Sequence, residues 1–369
     1  MKNILLLGAG KIGCIITEML SSTGDYFVTV VDKSELSLSR MPKNKHVECV
    51  QVDVTFKEKM LQVMDGKFAV LCACPFNITK YAAEVAAEVG VHYLDLTEDV
   101  ETTRFVKSLS ENSKAALIPQ CGLAPGFISI VAHGLTKGFD KLRNVHMRVG
   151  ALPKYPSNAL KYNLTWSTDG LINEYCNPCE AIYQGELVSV PPMEEIEEFS
   201  LDGIDYEAFN TSGGLGTLCE SLSGRVDNLN YRTVRYPGHR DVMKLLLQDL
   251  RLVDRRDLLK EILESALPIT YQDVVLVFVN VDGYINNQLI QKTFAHKIYS
   301  QEINGVLYSA IQITTSAGIC GVLDLLATGE LPQSGFVKQE DISYNAFIKN
   351  RFGRYYASPE GENNLFDAE

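Results

Sequence analysis

Apolar runs and helix-period stretches alternate along the first third of the chain. Residues 4–7 form an unbroken apolar run that meets Gly8 at once. Ile12, Ile15, Ile16, Met19 and Leu20 then recur at the spacing of one helix face. Strand-length apolar runs follow at 27–31, 47–54, 69–73, 91–96 and 115–118, with helices expected through 60–64, 81–89 and 100–111. Strands apolar on both faces and separated by helices describe a parallel sheet covered on two sides.

The rhythm changes near Cys121-Gly122-Leu123-Ala124-Pro125-Gly126. After a helix at 127–135, period-two strands are expected at 145–149, 161–166, 181–190 and 230–236. Segments 274–281 and 292–301 read as long antiparallel partners around Asp282-Gly283, and helices at 241–250 and 255–265 interrupt the strands. The acidic run 194–198 reads as a solvated loop. A small-residue, apolar helix at 308–326 is placed to return to the first domain, and 358–369 is polar and expected to fray. The pattern predicts an α/β domain from 1–125 plus about 308–350, with an inserted α+β domain at 126–307 built on a large mixed sheet.

The first turn carries specific chemistry. Gly8, Gly10 and Gly13 form G-x-G-x-x-G directly after a predicted strand and at the start of a predicted helix. Gly8 permits the tight turn, Gly10 lets backbone approach a pyrophosphate, and Gly13 lets helix pack close to strand. Lys11 and Ile12 begin the helix, whose free N–H groups and positive dipole end suit a diphosphate. The context predicts a doubly wound Rossmann domain binding a dinucleotide. Asp32 ends the second strand, where a carboxylate accepts from ribose hydroxyls and repels a 2′-phosphate, so NAD is favoured, with NADP possible. Asp53, after the third strand, is placed either to reach adenine or to cap its loop.

Ligands of such sheets collect beyond the carboxyl ends of the strands. That rule places Pro75, Asp95, Thr97 and the 121–125 turn around the reacting end of the cofactor. Asp95 is a candidate to position substrate or water, with helix capping as its plainer role.

Composition narrows the partners. Lys and Arg number 34 against 46 Asp and Glu, a net charge of −12 that opposes binding to nucleic acid or to an anionic membrane. No sequence stretch reads as a membrane span, and the N-terminal apolar run is too short for a signal peptide. Nine cysteines, mostly in apolar segments, read as reduced core residues of a cytoplasmic protein. Cys176-Asn177-Pro178-Cys179 lacks the second pair that a zinc site needs, so no metal is expected.

Several motifs resemble the saccharopine dehydrogenase superfamily: the glycine fingerprint, the 121–126 turn, Asn163-Leu164-Thr165-Trp166-Ser167 and Arg235-Tyr236-Pro237-Gly238-His239. Gly150-Ala151-Leu152-Pro153-Lys154 and Leu171-Ile172-Asn173-Glu174-Tyr175 resemble its shorter branch, the lysine 6-dehydrogenases. Ala124 stands where saccharopine reductases usually carry an acidic residue, which again favours that branch. The resemblance implies a homodimer and oxidation of an amine on an amino acid, with lysine deaminated at the 6-position to its semialdehyde. A saccharopine or carboxynorspermidine-type dehydrogenase is the alternative, and a non-catalytic NAD-sensing protein is a third reading. The chemistry needs a cation for the substrate carboxylate and a group that takes the amine proton. Arg235 and His239, flanking a Pro-Gly turn, are assigned those roles, and Trp166 is a substrate-facing candidate. The apolar strand 274–281 carries more apolar residues than one covered face needs, which predicts pairing of its sheet with a second subunit.

Overall fold

The strand and helix runs of the first third assemble as a parallel sheet in the computed structural model, which describes residues 1–111, 113–357 and 366. Strands β1 (Lys2–Leu7), β2 (Tyr26–Asp32), β3 (Val47–Gln51), β4 (Ala69–Cys72), β5 (His92–Asp95) and β6 (Ala116–Ile118) line up in the order β3-β2-β1-β4-β5-β6. A short strand, Gly335–Phe336, extends the β6 edge. The chain winds outward from β1 to β3 and then returns to start β4 on the other side of β1, so the crevice of the doubly wound fold opens at the carboxyl ends of β1 and β4. Leu5, Leu7, Val70, Tyr93 and Leu117 are buried on one face against Met60, Ala82 and Val106 of the covering helices. That two-sided burial is why these strands read as unbroken apolar runs.

This Rossmann unit comprises Met1–Ile130 and Thr314–Gly361. Most of the helix Ala310–Thr328 belongs to it, and Asp324 on that helix accepts hydrogen bonds from Tyr26, Asn350 and Arg351. The helix is long and apolar enough by composition to cross a membrane, contrary to the sequence expectation, but almost all of it is buried inside the chain. Gly318 explains its small-residue character: a Cβ there would meet the Cys121 carbonyl oxygen at 2.5 Å.

The second unit, Val131–Ile313 with Glu362–Glu369, is built on an eight-stranded mixed sheet. Its strands are β7 (Lys141–Pro153), β8 (Cys179–Tyr183), β9 (Glu186–Val190), β10 (Glu197–Leu201), β11 (Ile204–Asn210), β12 (Val226–Arg235), β13 (Asp273–Ile285) and β14 (Gln288–Tyr299). The main path runs β10-β11-β12-β7-β13-β14, and β8 joins β12 with β9 alongside. The tail predicted at 358–369 lies outside the described residues except for Phe366, whose ring packs edge-on against Phe294 at 6.2 Å.

Several expectations for this unit need correction. The segment 161–166 is not a strand: Leu164 makes one isolated bridge to Ile269, and the alternation came from Tyr162, Leu164 and Trp166 packing into a core with no ladder partner. The segment 181–190 is a hairpin that turns at Gln184 and Gly185. The turn between β13 and β14 is Asn286-Asn287, both at positive φ, as hairpin turns favour. Gly283 instead lies at a register shift inside β13, where a Cβ would meet the Lys141 carbonyl oxygen at 2.2 Å. The acidic run is only in part a solvated loop: Glu195 and Glu198 are exposed, but Glu194 and Glu197 are not. Glu197 starts β10 and binds Arg148 and Arg232, while Glu194 holds Arg240 and Lys244. Burial pushes the Glu197 carboxyl up, and the two guanidinium groups outweigh that and hold it below its ordinary range. The apolar excess of β13 is also accounted for within one chain. The strand lies between β7 and β14, and Val275, Leu276, Val277 and Val279 are fully buried there, so its composition does not call for a second subunit.

Candidate active site

The glycine loop shows which of its residues serve the fold and which leave room for a ligand. Gly8 has φ +105°, and a Cβ on it would meet the Ala73 carbonyl oxygen at 2.8 Å. A Cβ on Gly13 would lie 2.0 Å from the Gly8 carbonyl oxygen, so helix and turn touch only because that position is glycine. A Cβ on Gly10 would meet nothing within 4 Å. The middle glycine therefore borders open space, which is the cradle a pyrophosphate requires. The helix Lys11–Ser21 starts there with no side-chain cap, leaving first-turn N–H groups for an anion. Lys11 is exposed and Ile12 half-buried at this start.

Asp32 is tied to the same loop. Its Oδ2 accepts from the Ala9 N–H at 2.8 Å and its Oδ1 from the Ser34 N–H at 2.8 Å. Each oxygen keeps a lone pair, so the carboxylate is oriented yet still able to accept from a ribose. Asp53 is half-buried and accepts from the Thr55 hydroxyl and N–H, which lower its pKa: this is the loop-cap arrangement. Pro75 is exposed and sits just before the helix Phe76–Val89, beyond the end of β4. The residues present thus fit a dinucleotide along Gly8, Gly10, the Lys11–Ser21 helix start and Asp32.

At the end of β5 the expected roles change. Asp95 is fully buried and its acceptors are engaged: Oδ1 by the Thr97 N–H at 3.0 Å and the Gln120 N–H at 2.9 Å, Oδ2 by the Tyr93 hydroxyl at 2.9 Å. Burial pushes its pKa up to about 6, and these three donors work against that. Asp95 therefore ties the β5 and β6 strand-end loops together instead of presenting a carboxylate to a ligand. Thr97 is buried too, and its Oγ accepts from the Asp99 N–H at 3.2 Å, so it pins the loop.

The second unit contains a relay of side chains. Arg235, at the end of β12 and 2% exposed, donates from Nε to the Tyr175 hydroxyl at 2.9 Å and from Nη1 to the Val234 carbonyl at 2.8 Å. The Tyr175 hydroxyl lies 3.0 Å from His239 Nε2, and His239 Nδ1 lies 2.9 Å from the Leu160 carbonyl oxygen. A carbonyl can only accept, so Nδ1 carries the proton, Nε2 accepts, and Tyr175 donates to it. Burial, then the Arg235 charge, push the imidazole down to about 3. His239 is consequently a neutral, fully buried anchor with both nitrogens committed, and the expected role in proton transfer is withdrawn. Burial opposes the Arg235 charge, but Tyr175, Tyr162 and Glu174 around it prevail and keep it ionised. Trp166 is half-buried, packs at the edge of the core that holds Tyr162 and Phe209, and donates Nε1–H to the Tyr162 hydroxyl at 3.1 Å, so its polar end is spent.

With this geometry in place, comparison with known proteins is decisive at the level of family. Residues 4–118 match the saccharopine dehydrogenase NADP binding domain, and residues 122–352 match the saccharopine dehydrogenase C-terminal domain. The chain belongs to the saccharopine dehydrogenase family. It is 20% identical over 303 residues to the mitochondrial alpha-aminoadipic semialdehyde synthase of Rattus norvegicus, covering 76% of this chain and 31% of that protein. It is 23% identical over 201 residues to the saccharopine dehydrogenase [NADP(+), L-glutamate-forming] of Saccharomyces cerevisiae, covering 51% of this chain and 44% of the relative. The chain therefore spans less than half the length of these relatives in the matched region. The solved apo saccharopine dehydrogenase (L-Glu forming) from Saccharomyces cerevisiae shares the fold, with a TM-score of 0.76, 16% identity and coverage of 94% of this chain and 95% of that one.

Within this saccharopine dehydrogenase-family chain, Cys121 and Cys179 are held as neutral thiols. Cys121 is fully buried and donates to the Ile118 carbonyl, and burial raises its thiol well above the ordinary value. Burial likewise pushes the Cys179 thiol of the C-x-x-C up to about 12. Sequence reasoning missed Tyr175, which links Arg235 to His239. Its signal was an aromatic beside Glu174 in a stretch now seen as the helix Thr168–Cys176.

Proposed function

We propose that the chain is a nicotinamide-dependent dehydrogenase acting at the carbon–nitrogen bond on the ε-carbon of lysine or a lysine derivative. The observation that carries the reading is the open cradle at Gly10 beside an oriented Asp32, in a chain whose two units both match the saccharopine dehydrogenase family. The cofactor, when bound, supplies the hydride acceptor. The chain supplies the rest: Gly10 and the Lys11–Ser21 helix start hold the pyrophosphate, and Asp32 holds the ribose. Arg235 is proposed for the substrate carboxylate. Nε and Nη1 are committed, which leaves Nη2 as its free end, and Tyr175 with its His239 anchor fixes the plane of the guanidinium.

The relatives' names share a chemical logic. Saccharopine that yields glutamate must be cut on the lysine side of its secondary amine, and the carbon left behind becomes a semialdehyde. Free lysine oxidised at the same carbon gives the same product. Ala124 favours free L-lysine for this chain, and the likeness to saccharopine dehydrogenases favours saccharopine as the second reading. For the cofactor, the family description names NADP, whereas a carboxylate at Asp32 opposes a 2′-phosphate, so NAD is proposed. The test is reduced-nicotinamide absorbance with each dinucleotide across L-lysine, saccharopine, ornithine and a carboxyalkyl polyamine. Turnover with lysine or saccharopine supports the reading; turnover confined to the others, or none, removes it.

A further inference from the structure

Three carboxyl groups share the loop between β5 and the helix Val100–Ser110: Asp95, Glu98 and Asp99. Two are spent. Asp95 is buried and engaged by Thr97, Gln120 and Tyr93. Asp99 caps the helix, its Oδ2 accepting from the Thr102 N–H at 2.8 Å and the Thr102 hydroxyl at 2.6 Å. Glu98 lies between them, and its backbone is held on both sides. Thr97 donates its N–H to Asp95, and Asp99 donates its N–H to the Thr97 hydroxyl oxygen. Among the described residues the Glu98 carboxylate takes part in no ion pair, and the hydrogen bond that favours its charged form comes from its own N–H. It is half-buried, one strand away from β4 at the carboxyl edge of the sheet, where the reacting end of a dinucleotide lies in this fold.

We propose that Glu98 is the catalytic base that accepts the proton of the substrate ammonium. The step is a simple transfer: a nitrogen–hydrogen bond breaks, a carboxyl oxygen–hydrogen bond forms, and the amine is left neutral. Its lone pair would then be free to assist loss of hydride from the neighbouring carbon, for which a bound oxidised nicotinamide would supply the acceptor. The neutral Glu98 later returns the proton to solvent. Burial, then the charges of Asp99 and Asp95, push its pKa up to about 7, and no cation acts against them. A base poised there is ionised in part at neutral pH and strong enough to take a proton in the transition state.

This role rests on the amine-oxidation reading above, and the experiment separates the two. Wild-type, Glu98→Gln and Glu98→Asp full-length proteins are compared by ¹³C NMR titration of labelled glutamate carboxyls, by dinucleotide affinity and by the pH profile of kcat/KM with lysine and saccharopine. The expected result is a glutamate signal titrating near neutrality in the wild type and missing from Glu98→Gln. Glu98→Gln should bind dinucleotide within about threefold of wild type yet turn over about 10²-fold more slowly or worse, with the acid inflection lost. Glu98→Asp, which keeps a carboxyl, should recover part of the rate with a shifted inflection. If Glu98→Gln keeps both the inflection and turnover within about threefold of wild type, Glu98 is not the base and amine oxidation stands. If the wild type oxidises none of the candidate amines, the reading itself fails and this role goes with it.

Discussion

The β5 strand-end loop of the Rossmann unit and the Arg235 relay of the second unit both bury an ionisable group, and they do so with opposite signs. Asp95 is an acid whose neutral form burial favours, held mainly by backbone N–H groups. His239 is a base whose neutral form burial favours, held by a hydroxyl and a carbonyl brought from other segments. Between pH 3.8 and about 6 the folded chain retains a proton on Asp95 that the unfolded chain has released. This contribution therefore weakens stability as pH rises, by about 3 kcal/mol in all. Between pH 6.5 and about 3 the unfolded chain protonates His239 and the folded chain does not. Stability therefore falls as pH falls, at about 1.4 kcal/mol per pH unit. Local backbone geometry builds the first site, and long-range side-chain packing builds the second.

The largest contrast is expected in the glycine loop, where local geometry is strictest. Gly13→Ala forces a Cβ toward the Gly8 carbonyl oxygen and should cost several kcal/mol of stability, with dinucleotide affinity down by about 10²-fold or more. Gly10→Ala leaves thermal unfolding unchanged and weakens dinucleotide binding by about tenfold, because its Cβ enters only the open cradle. Equal losses of stability in the two variants would erase the distinction between packing glycine and ligand glycine. In the second unit, Tyr175→Phe strands the Arg235 Nε–H and His239 Nε2 without partners and should cost about 1–3 kcal/mol in denaturant unfolding. It should also steepen the loss of stability below pH 6.5 no further than His239 itself allows.

Asp32→Ser is expected to narrow the preference for NAD(H) over NADP(H) by about tenfold, read by titrating both dinucleotides. Tighter binding of NADP(H) by the unaltered protein would contradict the Asp32 assignment. The smallest effect belongs to Asp95→Asn. An amide oxygen can still accept from Thr97 and Gln120, and the Tyr93 hydroxyl can turn to the Thr79 carbonyl at 3.2 Å. Stability at pH 7 should therefore fall by no more than about 1 kcal/mol, with the dependence between pH 4 and 6 reduced. A loss of several kcal/mol would mean that the charge itself is required.

The same contrast explains what could be read in advance. The Rossmann sheet, the glycine loop and Asp32 follow from residues close in sequence whose backbone does the binding, so apolar runs and glycine spacing suffice to find them. Arg235 was visible through its motif, but its partner Tyr175 lies some 60 residues away, and only tertiary packing joins them. Trp166, Thr97 and His239 were placed at a site because their chemistry suits one. Burial decides otherwise for Thr97 and His239, and for Trp166 the hydrogen bond to Tyr162 occupies its polar end; neither is written in a residue's type. The turn expected at Asp282-Gly283 failed for a related reason: a glycine that permits two backbones to approach within a sheet looks, in sequence, like one that turns a hairpin.

Hydride transfer from the carbon that bears the ε-nitrogen is the event on which the functional reading depends. L-Lysine and saccharopine, each deuterated at that carbon, would be incubated with the protein and oxidised dinucleotide, and the reduced nicotinamide analysed by mass spectrometry. The expected result is one deuterium on the reduced ring from at least one of the two substrates, with the semialdehyde as co-product. Reduced nicotinamide without deuterium, or no reduction with either substrate, would contradict it.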